Sequence, residues 1–241
     1  QVHSAKCEPV VMDTRFNSSV TDIFRNEYLS PRSPYTTLQI PKQGIGEWCH
    51  PLHTVDINDA GLRSSVQNGI LNTELGIPFR TPAEGHNVAF TSLWDNYPDS
   101  LEIPLKGKAS RAYLLMAGST NHMQCHIDNG VIRIYYKDGT RDVMFLRNPD
   151  NWPPIEHIFF EDGLAFNRHT PALYRLRLKT GEISNNFGEE LGFPGASREL
   201  DGGAAVLLEM PLNPGKKLSH LVLETLSNDV VIGLMSITLQ R

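Results

Sequence analysis

The sequence lacks most of the features that would by themselves indicate a function. Its 241 residues carry a formal net charge of −5 and contain no run of lysine or arginine. Because phosphate binding requires concentrated positive charge, we expect no nucleic-acid partner. No apolar stretch approaches the length that crosses a bilayer, so we expect no membrane span. Nucleophile elbows, phosphate-binding loops and His-Glu-x-x-His motifs are missing as well, so no catalytic motif supports an enzyme assignment.

Cysteine is scarce. Cys7, Cys49 and Cys125 are an odd number at irregular spacing and define no disulfide framework. One bridge with one free thiol and three buried thiols both fit. The chain starts at Gln1, which is typical either of an export precursor whose signal has been removed or of a boundary cut within a longer chain. The first interpretation predicts a secreted or periplasmic protein.

What is present is the composition of an ordinary folded protein, with 40% hydrophobic and 20% charged residues. Proline repeatedly interrupts residues 1–100, whereas residues 101–241 form one candidate strand after another. We therefore expect a single domain over 1–241, in which a loop-rich region 1–100 wraps a strand-rich core 101–241. Only short helical turns are expected, at 20–26 and 59–66.

Alternating apolar residues and turn signals predict eight strands. They cover 101–105, 111–117, 131–137, 141–147, 174–179, 205–210, 218–224 and 230–239. Asp138-Gly139 suits a tight hairpin between the third and fourth, and Ser227-Asn228-Asp229 predicts a hairpin between the last two. In the fifth strand, charged residues that begin at Arg175 alternate with apolar ones, which predicts a solvent-facing charged side. The fold class predicted is an all-β, two-sheet β-sandwich.

The segment 94–97 combines aromatic and hydrogen-bonding side chains. Sugar rings present apolar C–H faces, so an exposed aromatic platform beside amides and carboxylates suits a glycan. We expect Trp94 and Tyr97 to stack on a sugar ring. Asp95, Asn96 and Arg63 would then bond its hydroxyl groups. The alternative is an ordinary aromatic corner of a β domain, with both rings in the core.

Oxygen ligands cluster in the segment 56–61. Asp56, Asn58 and Asp59 are candidate ligands for a structural calcium ion, and no other cofactor is expected. Ala60 and Gln67 stand where a calcium loop needs two further ligands. An Asx turn that caps the following helical segment is therefore the alternative.

Thiols and imidazoles suggest a second type of metal site. A tetrahedral zinc ion would suit ligands drawn from Cys49, His50, His53, Cys125 and His126. No second short-spaced pair supports such a site, and packed cysteines with hydrogen-bonded histidines are the alternative.

Glycoside hydrolysis requires two carboxyl groups in one cleft. The candidates by residue type are Asp95, Asp99, Glu156, Glu161 and Asp162. The sequence does not pair them, so a glycoside hydrolase or polysaccharide lyase remains an alternative to a binding module.

Several short sequence segments resemble those of a known family. The segments are 26–32, 38–41, 44–50, 76–79, 94–98, 112–120 and 146–152. Together they look like an uncharacterised β-sandwich domain of large exported proteins from polysaccharide-degrading gut bacteria, which often follows a glycosidase-like helical domain. Residues 76–79 and the strands after them are similar to galactose-binding-like jelly rolls.

The resemblance implies a jelly-roll or galactose-binding-like sandwich in a secreted or periplasmic protein. The function it implies is a non-catalytic, carbohydrate-associated accessory module that binds a glycan or supports a glycosidase-type partner domain. A purely structural interaction domain is a further alternative. The resemblance carries no catalytic or binding residues over to this chain.

Overall fold

The computed structural model describes residues 6–26, 28, 56–94, 96–120, 125–158, 169–187, 198–228 and 230–241. The strands in these residues are β1 Cys7–Pro9, β2 Ile70–Asn72, β3 Pro78–Arg80, β4 Ala89–Ser92, β5 Ser100–Pro104, β6 Arg111–Thr120, β7 Gly130–Tyr136, β8 Arg141–Leu146, β9 His157–Ile158, β10 Arg175–Arg177, β11 Ile183–Ser184, β12 Arg198–Glu199, β13 Ala204–Pro211, β14 Leu218–Thr225 and β15 Val230–Gln240. The helices are two 3-10 turns, Asp13–Arg15 and Val20–Asp22, and α1 Ala60–Ser64. Among the described residues, no helix has the length and apolar character needed to span a membrane.

The predicted all-β sandwich is confirmed. A seven-stranded sheet has the order β1-β15-β6-β13-β10-β11, with β4 also paired to β15, and a four-stranded sheet has the order β5-β14-β7-β8. β2 with β3 and β9 with β12 form two small ribbons. Each of the eight predicted strands is present, with ends shifted by a few residues at most.

The large sheet is buried on both faces because its central strands are apolar on both sides. In β6, Leu114 and Met116 pack between the two sheets, while Tyr113 and Leu115 pack on the opposite side. β15 pairs with β6 over nearly its whole length, and a register shift between Leu234 and Ser236 interrupts its alternation. The four-stranded sheet covers one face of this pair, so the other face needs a second cover.

The described part of the first hundred residues supplies that cover. Val20, Ile23, Leu62 and Phe79 are fully buried in the same cluster as Leu115 of the large sheet. The same stretch also contributes strands, since β1 and β4 both pair with β15 along its free edge. The N-terminal region is thus both a layer on the sheet and part of it, whereas the division of the whole chain into domains stays a prediction.

The two hairpin predictions have opposite outcomes. β7 and β8 pair antiparallel across Asp138-Gly139, and Gly139 has the positive φ of 85° that such a turn requires. The predicted hairpin between β14 and β15 is wrong, because β14 pairs with β5 and β7 while β15 pairs with β6. The turn residues Ser227 and Asn228 therefore lie in an arch that crosses from one sheet to the other.

Gly118 marks a close approach inside the sandwich and gives a stability prediction. A Cβ atom there would lie 2.0 Å from the Val231 carbonyl oxygen and 2.6 Å from the Trp152 ring. We expect Gly118→Ala to lower the free energy of unfolding by roughly 3 kcal/mol, since backbone and a packed indole must both move. Gly139→Ala is the control. It meets open space and costs about 1–2 kcal/mol of left-handed strain. Equal losses in denaturant titrations of the two variants would contradict this account.

Candidate functional site

The aromatic residues expected to stack on sugar lie in the core. Trp94 and Tyr97 are each 8% exposed, and the Tyr97 ring packs 5.2 Å from that of Phe90. Trp94 Nε1 donates a hydrogen bond to the Asn228 carbonyl at 2.8 Å, and burial raises the pKa of Tyr97. The structure thus gives these rings the packing of the core alternative and not an exposed platform. Asn96 next to them is half-buried, and Asp95 lies outside the described residues.

Arg63 is engaged within the N-terminal layer. Its Nε donates to Asp59 Oδ2 at 2.9 Å, and its guanidinium also donates to the carbonyl oxygens of Pro82 and Gly85. These bonds fasten α1 to the turn that precedes β4. The structure gives Arg63 this anchoring role, and its role in bonding sugar hydroxyls stays a prediction.

The candidate calcium ligands form a capped turn. Asn58 Oδ1 accepts the Ala60 N–H at 3.0 Å, which is the Asx turn weighed as the alternative. Asp59 is buried, and its Oδ2 accepts from Arg63 and from Asn87, each at 2.9 Å. Asp56 is exposed before this turn. The Asp59 carboxylate is therefore committed to internal hydrogen bonds.

An exposed aromatic surface does occur, on the outer side of the four-stranded sheet. We name this surface the exposed sheet face. Its residues alternate with the core residues along four strands, except that Val131, on the same side between Glu224 and Phe145, is fully buried. They are Ser100, Glu102, Pro104, Arg133, Tyr135, Arg141, Val143, Phe145, His220, Val222 and Glu224. Phe145 and Val143, on the edge strand β8, are 44% and 41% exposed.

Polar side chains on the exposed sheet face are fixed by one another. Arg133 Nη1 bonds Glu224 Oε2 at 2.6 Å, across the strands β7 and β14. Tyr135 stacks on His220 with ring centroids 4.7 Å apart and planes 10° from parallel, and Arg141 donates to the Tyr135 hydroxyl at 3.2 Å. The face thus combines an exposed aromatic ring with oriented hydrogen-bonding groups.

The candidate catalytic carboxylates are not gathered in one described cleft. Asp99 is exposed, whereas Glu156 is buried, with only 1% of its surface exposed. Asp95, Glu161 and Asp162 lie outside the described residues. Of the five candidates, the structure thus describes only Asp99 and Glu156, one exposed and the other buried.

Glu156 has a buried cationic neighbour instead. Arg175 is 6% exposed, and its Nη2 donates to the carbonyl oxygens of Pro154 and Ala204 at 2.8 and 2.9 Å. Burial lowers the pKa of Arg175 to about 10, and attraction to Glu156 opposes that shift. The prediction that this side of β10 faces solvent is thus wrong at Arg175, because the segment 154–156 covers that side chain.

One group of metal-ligating types comes together in the described residues. His126, Asp150 and His169 each place a ligand atom within 4.8 Å of the other two. Of the predicted zinc set, only His126 belongs to this group. Cys125 beside it is a half-buried free thiol, as is Cys7. Cys49, His50 and His53 lie outside the described residues.

The comparisons with known proteins add no relative. No protein-family model matches the chain, and no curated protein matches it. The resemblance to exported gut-bacterial domains therefore stays a prediction.

The buried Arg175–Glu156 pair gives a prediction about coupling. We expect Arg175→Met to lower the free energy of unfolding by roughly 3–5 kcal/mol, because Glu156 then stays buried without its cationic neighbour. Adding Glu156→Gln to that variant should recover at least about 1 kcal/mol. Arg177→Met, on the same side of β10 but only half-buried, is the control. Strictly additive losses in a double-mutant cycle of denaturant titrations would contradict the pairing.

Proposed function

We propose that this protein is a non-catalytic, carbohydrate-associated module that binds a glycan on the exposed sheet face. The observation that carries the proposal is the 44% exposed ring of Phe145 on the same face as the Arg133–Glu224 ion pair. An exposed apolar ring beside fixed polar groups suits the mixed character of a sugar, whose ring faces are apolar and whose rim is polar.

In the proposed binding mode the C–H face of one sugar stacks on Phe145. Arg133 donates to its hydroxyl oxygens, and the Glu224 carboxylate accepts from its hydroxyl hydrogens. The side chains of Arg133 and Glu224 are 24% and 37% exposed, so both remain accessible to ligand. Their ion pair and the sheet beneath hold them in place, which reduces the entropy lost on binding.

This mode moves the stacking role from Trp94 and Tyr97 to Phe145. The chemical reason is the same as for residues 94–97, because a glycan needs an exposed aromatic platform. Secretion or periplasmic location, a galactose-binding-like jelly roll and a glycosidase-type partner domain remain parts of the proposal that rest on the sequence resemblance.

A structural interaction domain is the second candidate, and one observation favours it. Val143 and Phe145 are both exposed and adjacent on the same side of the edge strand β8. An apolar pair of this kind also suits packing against a neighbouring protein domain. The enzymatic alternative has no comparable observation among the described carboxylates.

Glycan-array binding with matched aromatic variants tests the proposal. We expect the wild-type chain to bind a defined sugar class and Phe145→Ala to bind it about tenfold more weakly, since one stacking contact is lost. Glu224→Gln should also weaken binding, because it removes the charge while keeping the shape. Tyr174→Ala is the control, as Tyr174 is 38% exposed but lies outside the exposed sheet face.

The outcomes separate the two candidates. If no glycan binds the wild-type chain, or if Phe145→Ala and Tyr174→Ala bind equally well, the glycan surface is wrong.

The array is run with calcium and with a chelator. We expect the same binding in both, because the Asp59 carboxylate already accepts hydrogen bonds from Arg63 and Asn87.

A further inference from the structure

We propose that His126, Asp150 and His169 form a binding site for a divalent transition-metal ion, with Zn²⁺ as the best-suited ion. The site uses none of the residues proposed to bind glycan, so either proposal stands or fails without the other. Two imidazoles and one carboxylate are a ligand set that zinc sites in proteins use. The three residues are 24 and 19 positions apart in the chain, and only the fold brings them together.

The spacing of the ligand atoms fits one ion. Ligands about 2.1 Å from a tetrahedral zinc lie roughly 3.4 Å from each other. His169 Nδ1 and Asp150 Oδ1 are 3.5 Å apart, which is already this spacing. All three ligand atoms lie within 4.8 Å of one another, so a modest side-chain rotation of His126 completes the set.

The two imidazole rings lie close together and are tilted relative to each other. Their centroids are 5.0 Å apart and their planes differ by 43°, so they are not stacked face to face. Two imidazoles bound to one tetrahedral zinc hold their centroids roughly 5 Å apart. The ring arrangement thus agrees with the spacing of the ligand atoms.

Backbone hydrogen bonds hold His126 beside the turn that carries Asp150. The His126 N–H donates to the Asn148 carbonyl at 2.7 Å, and Cys125 forms a parallel bridge with the same residue. His126 has a positive φ of 56°, which turns the chain at this point. The Asn148 amide in turn donates to the Trp152 carbonyl at 3.0 Å, and Trp152 is fully buried. The first ligand is therefore attached to the core of the sandwich.

Asp150 and His169 are fastened to each other. The His169 N–H donates to Asp150 Oδ1 at 2.7 Å, and the Thr170 hydroxyl donates to the Asp150 carbonyl at 2.7 Å. Asp150 Oδ1 accepts this N–H with one lone pair and keeps a second lone pair for a metal ion. Arg147, three residues before Asp150, bonds Asp128 Oδ1 at 2.5 Å, so its guanidinium is engaged with a different carboxylate.

Three protein ligands leave part of the coordination sphere open. Structural zinc sites use four protein ligands, whereas a three-ligand site keeps a position for water or for an oxygen atom of a bound molecule. The side chain of His169 is 64% exposed, so this position is accessible from solvent. The site therefore takes an exchangeable ion with an open position, and not a buried structural ion.

Zinc binding by the chelator-treated protein tests the site. We expect one Zn²⁺ per chain in competition with a chromophoric chelator. His126→Ala and His169→Ala should each weaken binding at least about 100-fold, since each removes one ligand. Asp150→Asn should weaken it by about 10-fold to 100-fold while still accepting the His169 N–H, which keeps the turn intact.

Matched histidine variants guard against binding elsewhere. His220→Ala removes a half-buried histidine that stacks on Tyr135, and His86→Ala removes an exposed one. We expect both to bind Zn²⁺ like the wild type. If the double variant His126→Ala/His169→Ala retains wild-type affinity, or if the wild-type chain binds no Zn²⁺ at micromolar concentration, the proposal is wrong.

Substitution by Co²⁺ identifies the ligand types directly. A site of two imidazoles and one carboxylate gives visible d–d bands without a thiolate-to-cobalt charge-transfer band in the near ultraviolet. We expect this spectrum in the wild type and its loss in His169→Ala. A charge-transfer band would overturn the proposed ligand set in favour of one that contains a cysteine thiolate.

Discussion

The pairing of β6 with β15 is the interaction on which the rest of the structure depends. Both strands are apolar on their two faces, so the large sheet is stable in water only when both faces are covered. The four-stranded sheet covers one face, and the layer that contains Val20, Leu62 and Phe79 covers the other. The outer side of the four-stranded sheet carries mostly polar side chains and stays exposed to solvent. Burial of one strand pair thus decides which surface remains free for a ligand.

Strand positions follow from local pattern, and strand partners do not. The eight predicted strands are present because alternation over five or more residues is a local property. The arch after β14 looks like a hairpin in the sequence, since Ser227 and Asn228 suit either connection. Arg175 shows the same limit. Its alternation with Leu176 is real, yet the side that it occupies is covered by the 154–156 segment, which no pattern within β10 reveals.

The candidate sites depend even more on tertiary contacts. The local composition at Trp94 and Tyr97 is the same for a sugar platform and for a packed corner, and only the neighbouring Phe90 and Tyr28 decide between them. Phe145 could not be placed on the surface from the sequence, because β8 has apolar residues on both sides, Val143 and Phe145 on one and Met144 and Leu146 on the other. His126, Asp150 and His169 had no short spacing that would have grouped them. Zinc motifs with close ligand pairs are recognisable from sequence, whereas this set exists only after three loops meet.

The central position of β15 affects how the chain folds as it is made. β6 ends at Thr120, and its neighbour β15 begins only at Val230, with its other neighbour β13 at Ala204. At 5–20 residues per second, synthesis from Thr120 to Ala204 takes roughly 4–17 s. Throughout that interval β6 has neither of its partner strands, and its hydrogen-bonding edges and two apolar faces are open to other chains. The large sheet is therefore exposed to aggregation until its later strands are made.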